Sequence, residues 1–258
     1  MIWRLAVVGY PIEHSLSPLL HREGLRLAGL EGTSERVALG EGDADQLTGL
    51  LGARFDALSV TMPLKEAAYA RCDELSDAAR RTGMVNSLLW RDGRILGANT
   101  DGEGLVEALA RMGVAPRGAR CVVLGAGGAA RAIVDALVGA DAGRVTVLGR
   151  RASRVAWFLE RYPHHVDDVT PAGPVDLIIN TTPVAARADE HLMVGAMSST
   201  VAVDITYEPR MSSWRALYET HGCRTANGLG MLAFQAARQM QWWWGVPVDA
   251  ARLLEVIS

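Results

Sequence analysis

An apolar strand that leads into a glycine-rich turn and then a helix restricts the fold of this 258-residue chain more than any other feature. Residues 121–124 are apolar, and residues 125–130 fit the pattern G-x-G-x-x-A. The first glycine of that pattern permits a tight turn, the second lets a pyrophosphate approach the backbone, and the small third residue lets helix and strand pack closely. Glycine turns are common, but one between a strand and a helix predicts a dinucleotide-binding domain.

The chain around this turn alternates between apolar strands and helices. Further apolar runs lie at residues 145–148, 177–179 and 201–205. Strands that alternate with helices are typical of a doubly wound parallel sheet, which we therefore predict for this part of the chain.

The part of the chain before residue 102 also has strand and helix signals. Apolar runs at residues 5–8 and 57–60 predict buried strands, and the composition of residues 66–81 predicts a helix. A hairpin is predicted on either side of Asp92-Gly93, because this dipeptide favours a tight turn between strands.

A basic segment follows the strand at residues 145–148. An NAD-binding protein usually carries Asp or Glu there for the ribose diol, whereas this chain has Gly149-Arg150-Arg151-Ala152-Ser153-Arg154. Guanidinium groups suit a 2′-phosphate, so the segment predicts NADP(H) as the cofactor. The alternative is a solvated basic helix start, which the helix macrodipole disfavours.

Two polar turns carry a lysine and an aspartate that could form an acid–base pair. Lys65 follows Pro63, and Asp101 follows Asn99-Thr100. Such a pair could move the proton of an alcohol while hydride leaves its carbon. Spacing alone favours the alternative of an ion pair on the surface.

Three amide side chains could bind a polyol. Asn86 and Asn99 lie in polar turns, where each could equally serve as a turn residue. Gln235 lies in an otherwise apolar helix, and a buried amide needs partners, which a substrate could supply.

A helix is predicted to start at Ser17-Pro18, and the hydroxyls of Ser15 and Ser17 lie around this start. Hydroxyls and free backbone N–H groups at such a position can hold a carboxylate. The alternative role for Ser17 is that of a simple N-cap.

Composition excludes several classes of protein. The net charge is −3, and a nucleic-acid-binding protein would need a clustered basic surface. No apolar run reaches the roughly 18 residues of a membrane span. The cysteines, Cys72, Cys121 and Cys223, are far apart and odd in number, which argues against a disulfide framework or a zinc site and fits the cytoplasm.

Taken together, these segments resemble the shikimate dehydrogenase family from end to end. The motifs that carry the resemblance are residues 9–18 (GYPIEHSLSP), 60–65 (VTMPLK), 99–104 (NTDGEG), 125–130 (GAGGAA), 176–182 (DLIINTT) and 227–232 (NGLGML), with Gln235 beyond. The resemblance implies reversible NADPH-dependent reduction of 3-dehydroshikimate to shikimate, in the biosynthesis of aromatic amino acids. It also implies two α/β domains with a cleft between them. These are a substrate domain of residues 1–102 plus 231–258 and a Rossmann-type NADP domain of residues 103–230.

The resemblance further implies roles for individual residues. Ser15 and Ser17 would hold the substrate carboxylate, with Tyr207 near it. Residues expected around the substrate hydroxyls are Thr61, Lys65, Asn86, Asp101 and Gln235, among which Lys65 and Asp101 form the acid–base pair. Residues expected to contact the cofactor are Asp77, Gly125, Ala126, Gly127, Gly128, Ala129, Arg150, Arg151, Arg154, Thr181, Ile205 and Gly228. No metal is expected, and the chain is expected to work as a monomer or homodimer without nucleic acid or membrane.

The chain departs from the family pattern in several places, including the cofactor turn at residues 149–151 and the segment at residues 207–209. Ser59 stands where the family often has Asn, and Pro183-Val184-Ala185 replaces a usual Gly-Met. Two alternatives stay open: a quinate or quinate/shikimate dehydrogenase, against which Ser17 and Arg150 speak, and a catalytically silent NADP-binding regulator. A silent regulator would have no chemical need for both Lys65 and Asp101.

Overall fold

The computed structural model describes residues 2–182 and 193–258, so the departure at residues 183–185 lies outside the described residues. The chain forms two compact units. One comprises Met1–Gly104 and Leu232–Ser258, and the other comprises Leu105–Met231.

The second unit is built on a parallel sheet. Its strands are β7 (Arg120–Leu124), β8 (Arg144–Leu148), β9 (Val166–Asp167), β10 (Leu177–Asn180), β11 (Val201–Asp204) and β12 (Arg224–Ala226). Its helices are α6 (Gly128–Gly139), α7 (Ala152–Arg161) and α8 (Ser213–Thr220). The spatial strand order is β12-β11-β10-β7-β8-β9, and every pair is parallel. The order reverses between β7 and β10, which confirms the predicted doubly wound sheet.

Continuous apolar strands explain the core of this unit. The last four residues of β7 and all four residues of β10 are buried, as expected for strands covered on both faces. Ile133 and Leu137 of α6 are fully buried against this sheet, one turn apart on the same helix face. Because β7 and β8 are neighbouring parallel strands, their carboxyl ends lie side by side, next to the start of α6.

The first unit contains a mixed sheet. Its strands are β1 (Ile2–Gly9), β2 (Glu31–Ala38), β3 (Ala57–Val60), β4 (Glu74–Leu75), β5 (Ser87–Arg91) and β6 (Arg94–Ala98). Its helices include α1 (Ser17–Leu27), α2 (Gln46–Leu50), α3 (Lys65–Tyr69), α4 (Asp77–Thr82) and α10 (Ala250–Ile257). The helices α5 (Asp101–Arg111) and α9 (Leu229–Trp244) begin in one unit and end in the other. The strand order is β2-β1-β3-β5-β6-β4.

The predicted hairpin is present between β5 and β6, which pair antiparallel. Its turn residues Asp92 and Gly93 have φ angles of 53° and 79°. Two successive positive φ angles define the turn that suits hairpin twist, and Asp-Gly adopts it readily.

The predicted helix at residues 66–81 is wrong, because β4 interrupts it between α3 and α4. Asp73 draws the chain to the sheet by accepting a hydrogen bond from the backbone N–H of Ile95 at 2.7 Å. Ser76 then starts α4 by accepting from the N–H of Ala79 at 3.2 Å, as an N-cap residue does. Within the described ranges no helix is both long and apolar enough to cross a membrane.

Candidate active site

The structure brings Lys65 and Asp101 into direct contact. Lys65 is the first residue of α3 and Asp101 is the first residue of α5. Lys65 Nζ donates to Asp101 Oδ2 at 2.5 Å, and the two side chains are only 16% and 7% exposed. An exposed surface ion pair, the alternative that spacing favoured, is therefore ruled out. The whole sequence contains no other lysine, so the remaining 25 of its 26 lysine and arginine residues are arginines.

Two of the predicted amides complete a buried cluster around this pair. Asn86 Nδ2 donates to Asp101 Oδ1 at 2.8 Å and lies 3.2 Å from Gln235 Oε1. Thr100 adds contacts that the sequence analysis did not identify, because its N–H donates to Asn86 Oδ1 and its hydroxyl donates to the Gln235 carbonyl. Both carboxylate oxygens of Asp101 therefore accept a hydrogen bond, one from Lys65 and one from Asn86.

Asn99 adopts the role of a turn residue. Its Nδ2 donates to the Met84 carbonyl at 3.0 Å, and its Oδ1 accepts from the N–H of Asp101 at 3.1 Å. Both ends of the amide are therefore committed to backbone. Asn99 therefore orients the start of α5.

A series of hydrogen-bonded polar side chains ends on the backbone carbonyl of Asn86. We call it the buried polar chain, and its members are Ser34, His21, Ser59 and Gln239. Gln239 Nε2 donates to the Asn86 carbonyl at 2.9 Å, and Ser59 Oγ donates to Gln239 Oε1 at 2.5 Å. His21 Nε2 lies 2.8 Å from Ser59 Oγ, and His21 Nδ1 lies 2.8 Å from Ser34 Oγ.

The direction of each hydrogen bond in this buried chain follows from its Asn86 end. A carbonyl only accepts, so the Gln239 amide must present its NH₂ to Asn86 and its oxygen to Ser59. Since the Ser59 hydroxyl proton is used, His21 must donate from Nε2 and accept from Ser34 at Nδ1. His21 is fully buried, and burial lowers its pKa to about 3, so it is neutral near pH 7.

Ser59 therefore has a defined partner set instead of the family's usual asparagine contact. Of the buried polar chain, Gln239 had a sequence signal, because it lies four residues after Gln235 and hence on the same face of α9. Nothing in the spacing of His21 or Ser34 pointed to Asn86.

Ser15, Ser17 and Thr61 have hydroxyls open to a ligand. Leu16, and not Ser17, is the N-cap of α1, which begins at Ser17 and has no side-chain cap, so the predicted capping role is wrong. The Ser15 hydroxyl oxygen accepts from the N–H of Ser17 at 3.3 Å. Within residues 2–182 and 193–258, the Ser17 and Thr61 hydroxyls make no hydrogen bond to protein. Hydroxyls that make no hydrogen bond to protein remain available to bind a ligand.

The glycine turn of the second unit is shaped for a close ligand. Gly125 has φ of +107°, and a Cβ there would lie 2.5 Å from Thr181 Oγ1, so the protein itself requires this glycine. Gly127, the N-cap of α6, has an ordinary φ of −96°. Among the described residues, a Cβ on Gly127 would meet nothing within 4 Å. No contact with that part of the chain requires the glycine, whereas a pyrophosphate resting on the helix start would.

The predicted arginines lie beside this turn. The N–H of Gly125 donates to the Leu148 carbonyl at 2.8 Å, which places the residues after β8 next to the turn. Arg150, Arg151 and Arg154 are exposed, and in the described part of the chain none has an acidic partner. Three unpaired guanidinium groups at one helix start suit a 2′-phosphate.

The remaining predicted cofactor residues lie at strand ends or on the surface. Thr181 follows β10, and its hydroxyl donates to the Leu124 carbonyl at 2.8 Å. Gly228 lies against Ile205, because a Cβ there would come within 1.9 Å of the Ile205 carbonyl oxygen. Tyr207, two residues after Ile205, is half-buried in the second unit. Asp77 is exposed at the start of α4 in the first unit.

Known proteins are similar to this chain over nearly its whole length. The family model described as the shikimate dehydrogenase substrate-binding domain matches residues 7–88. Shikimate dehydrogenase (NADP(+)) of Exiguobacterium sp. is 36% identical over 95% of this chain and 94% of the relative. The same enzyme of Acidiphilium cryptum is 39% identical over 94% of this chain and 91% of the relative.

A solved structure extends the agreement to the fold. Shikimate 5-dehydrogenase of Thermus thermophilus, in complex with NADP(H) and shikimate, superposes with a TM-score of 0.89. The two chains are 34% identical, and the match covers 99% of this chain and 98% of that one. The fold and the comparisons define an oxidoreductase built from a substrate-binding α/β domain and a Rossmann-type NADP-binding domain. Within that class, the chain belongs to the shikimate dehydrogenase family, which confirms the predicted family and fold class.

Proposed function

We propose that the chain catalyses the reversible NADPH-dependent reduction of 3-dehydroshikimate to shikimate, with Lys65 and Asp101 at the reacting oxygen. The observation that carries the proposal is the buried Lys65–Asp101 contact held by Asn86. Retention of a single lysine supports it further. An arginine would serve an ion pair as well or better, but its guanidinium does not release a proton near neutral pH.

The residues of the pair have complementary roles in proton transfer. Bound NADPH supplies the hydride to the carbonyl carbon. Lys65 Nζ carries three donors and gives one to Asp101, so two remain for a substrate oxygen. The pair supplies a proton to that oxygen during reduction and takes it back during oxidation. Asn86 fixes the Asp101 carboxylate so that no side-chain reorganisation is needed during the reaction.

Ser15 and Ser17 hold the substrate carboxylate in this proposal, with Tyr207 beside it. Support comes from the uncommitted Ser17 hydroxyl at the start of α1, where the helix macrodipole favours an anion. Thr61 and Gln235 bind the other substrate hydroxyls, together with Asn86.

The cofactor is proposed to lie along the glycine turn. Gly125 to Ala129 contact the pyrophosphate, and Arg150, Arg151 and Arg154 contact the 2′-phosphate. Thr181, Ile205, Gly228 and Asp77 are proposed as the contacts nearer the nicotinamide. The open space at Gly127 and the unpaired arginines support this placement.

Reduction of NADP⁺ by shikimate, followed by NADPH absorbance, tests the proposal. We expect turnover with shikimate and little or none with quinate. Lys65→Arg keeps the charge but replaces the ammonium with a group that does not become neutral near pH 7, so kcat should fall roughly 10²-fold or more while the KM for shikimate changes little. Turnover with quinate alone would favour the quinate alternative, and NADP⁺ binding without turnover of either substrate would favour a silent regulator.

The proposed setting is the cytoplasm, with the chain acting as a monomer or homodimer on small molecules and not on nucleic acid. The unpaired state of Cys72, Cys121 and Cys223 supports a reducing compartment.

A further inference from the structure

Arg36 anchors the loop that carries Ser15. It lies in β2, and its Nε and Nη2 atoms both donate to the Ser15 carbonyl oxygen, at 3.0 and 2.6 Å. In the described part of the chain Arg36 has no acidic partner. Arg54 differs, because Arg54 Nη2 lies 3.0 Å from Glu35 Oε1 of the same strand. Within the described residues, the charge of Arg36 is therefore not paired with a carboxylate.

Covalent geometry limits the distance between this charge and the Ser15 hydroxyl. Four bonds separate the Ser15 carbonyl oxygen from Ser15 Oγ, so the two oxygens are at most about 4.5 Å apart. Arg36 Nη2 consequently lies within about 7 Å of Oγ, given its 2.6 Å contact with the carbonyl oxygen. An anion bound at that hydroxyl falls within about one Debye length, roughly 10 Å at 0.1 M salt.

We propose that Arg36 is a specificity-determining residue that selects substrates with a carboxylate. This inference rests on the proposed function, which assigns the substrate carboxylate to Ser15 and Ser17. Arg36 acts in two ways: its fork holds the Ser15 carbonyl, and its positive charge attracts the anionic group across the loop. A cyclic polyol without the carboxylate receives no benefit from that charge.

Arg36→Gln tests the inference, because it removes the charge at an exposed position. We expect the KM for shikimate to rise roughly 3- to 10-fold, the scale of a partly screened charge at this range, while kcat stays within about twofold. With methyl shikimate, whose ester is neutral, the variant should lose less kcat/KM relative to the wild type than it does with shikimate, because only the loop anchor and not the charge then matters. The KM of the wild type for shikimate should rise with added salt, and that of the variant should rise less.

Arg54→Gln is the matched control, since it removes the same charge from an exposed arginine linked to the same strand. It should leave the KM for shikimate unchanged. An unchanged KM in Arg36→Gln would overturn the inference, and so would an equal loss with shikimate and its methyl ester, which would reduce Arg36 to a loop anchor.

Calorimetric binding of shikimate separates this inference from the proposed function. Tighter binding by wild type than by Arg36→Gln supports the role of Arg36, whether or not turnover occurs. Equal binding by both proteins overturns that role and leaves the proposed function intact. Failure of the wild type to bind shikimate would overturn both.

Discussion

The neutral, fully buried His21 should make this protein lose stability in mild acid, and His21→Gln should remove that loss. Burial lowers the pKa of His21 to about 3, whereas an unfolded histidine titrates at about 6.5. Between those values the unfolded state binds the extra proton and the folded state does not. The free energy of unfolding therefore falls as pH falls below about 6.5, and this contribution is fully present above it.

The size of the effect follows from the shift in pKa. Each pH unit in this window costs about 1.4 kcal/mol, so lowering the pH from 7.5 to 5.0 should cost the wild type about 2 kcal/mol through His21 alone. A glutamine at position 21 does not titrate, and its amide can still donate to Ser59. The variant should be less stable at pH 7.5 but should lack this part of the acid loss.

Urea unfolding followed by tryptophan fluorescence, at both pH values and for both proteins, measures the difference directly. The other histidines are common to the two proteins and cancel in the comparison. Equal pH dependence in wild type and His21→Gln would refute the reasoning. A ¹⁵N spectrum of His21 offers a second check, since a protonated ring at pH 5.0 contradicts the buried neutral tautomer that donates from Nε2.

Three other substitutions test the rest of the site. Ser17→Ala should raise the KM for shikimate with a smaller change in kcat, because a hydrogen bond to a carboxylate contributes about 1.5–3 kcal/mol; unchanged steady-state constants would contradict the carboxylate role. Arg150→Ala should lower the preference for NADP over NAD roughly 10- to 150-fold, the worth of one charge-assisted contact, as measured by kcat/KM with each cofactor; an unchanged ratio would remove Arg150 from the 2′-phosphate site. Gln239→Met removes the acceptor of the Ser59 hydroxyl proton and one of the two donors to the Asn86 carbonyl, which keeps the N–H of Val60, and should destabilise the protein by about 1–3 kcal/mol in urea unfolding; a loss below about 0.5 kcal/mol would show that water replaces the amide.

The sequence predicted the second unit better than the first, for a physical reason. A strand covered on both faces must be apolar throughout, so β7 and β10 were visible as short runs. The edge strand β2 has no such requirement, and its alternation of exposed and half-buried residues left no apolar run to find. The break at β4 depends on Asp73 bonding to Ile95, a contact between residues whose separation no local pattern encodes.

The residues of the site were likewise predicted only in part. Lys65, Asp101 and the glycine turn were found because their motifs are contiguous, although only the structure showed that the pair is buried. The buried polar chain behind Asn86 was not predicted, since its members come from distant segments and only the spacing of Gln239 from Gln235 gave a signal.

The sheet edges in the described structure also bear on how the protein avoids association through its backbone. Unpaired N–H and C=O groups along a sheet edge invite pairing with another molecule, and proteins counter this with short edge strands or with charge. Three of the four edge strands, β4, β9 and β12, are only two or three residues long. The fourth, β2, runs for eight residues from Glu31 to Ala38 and also carries Glu35 and Arg36. Strand β2, which anchors the Ser15 loop through Arg36, therefore also carries charges that protect the longest sheet edge against aggregation.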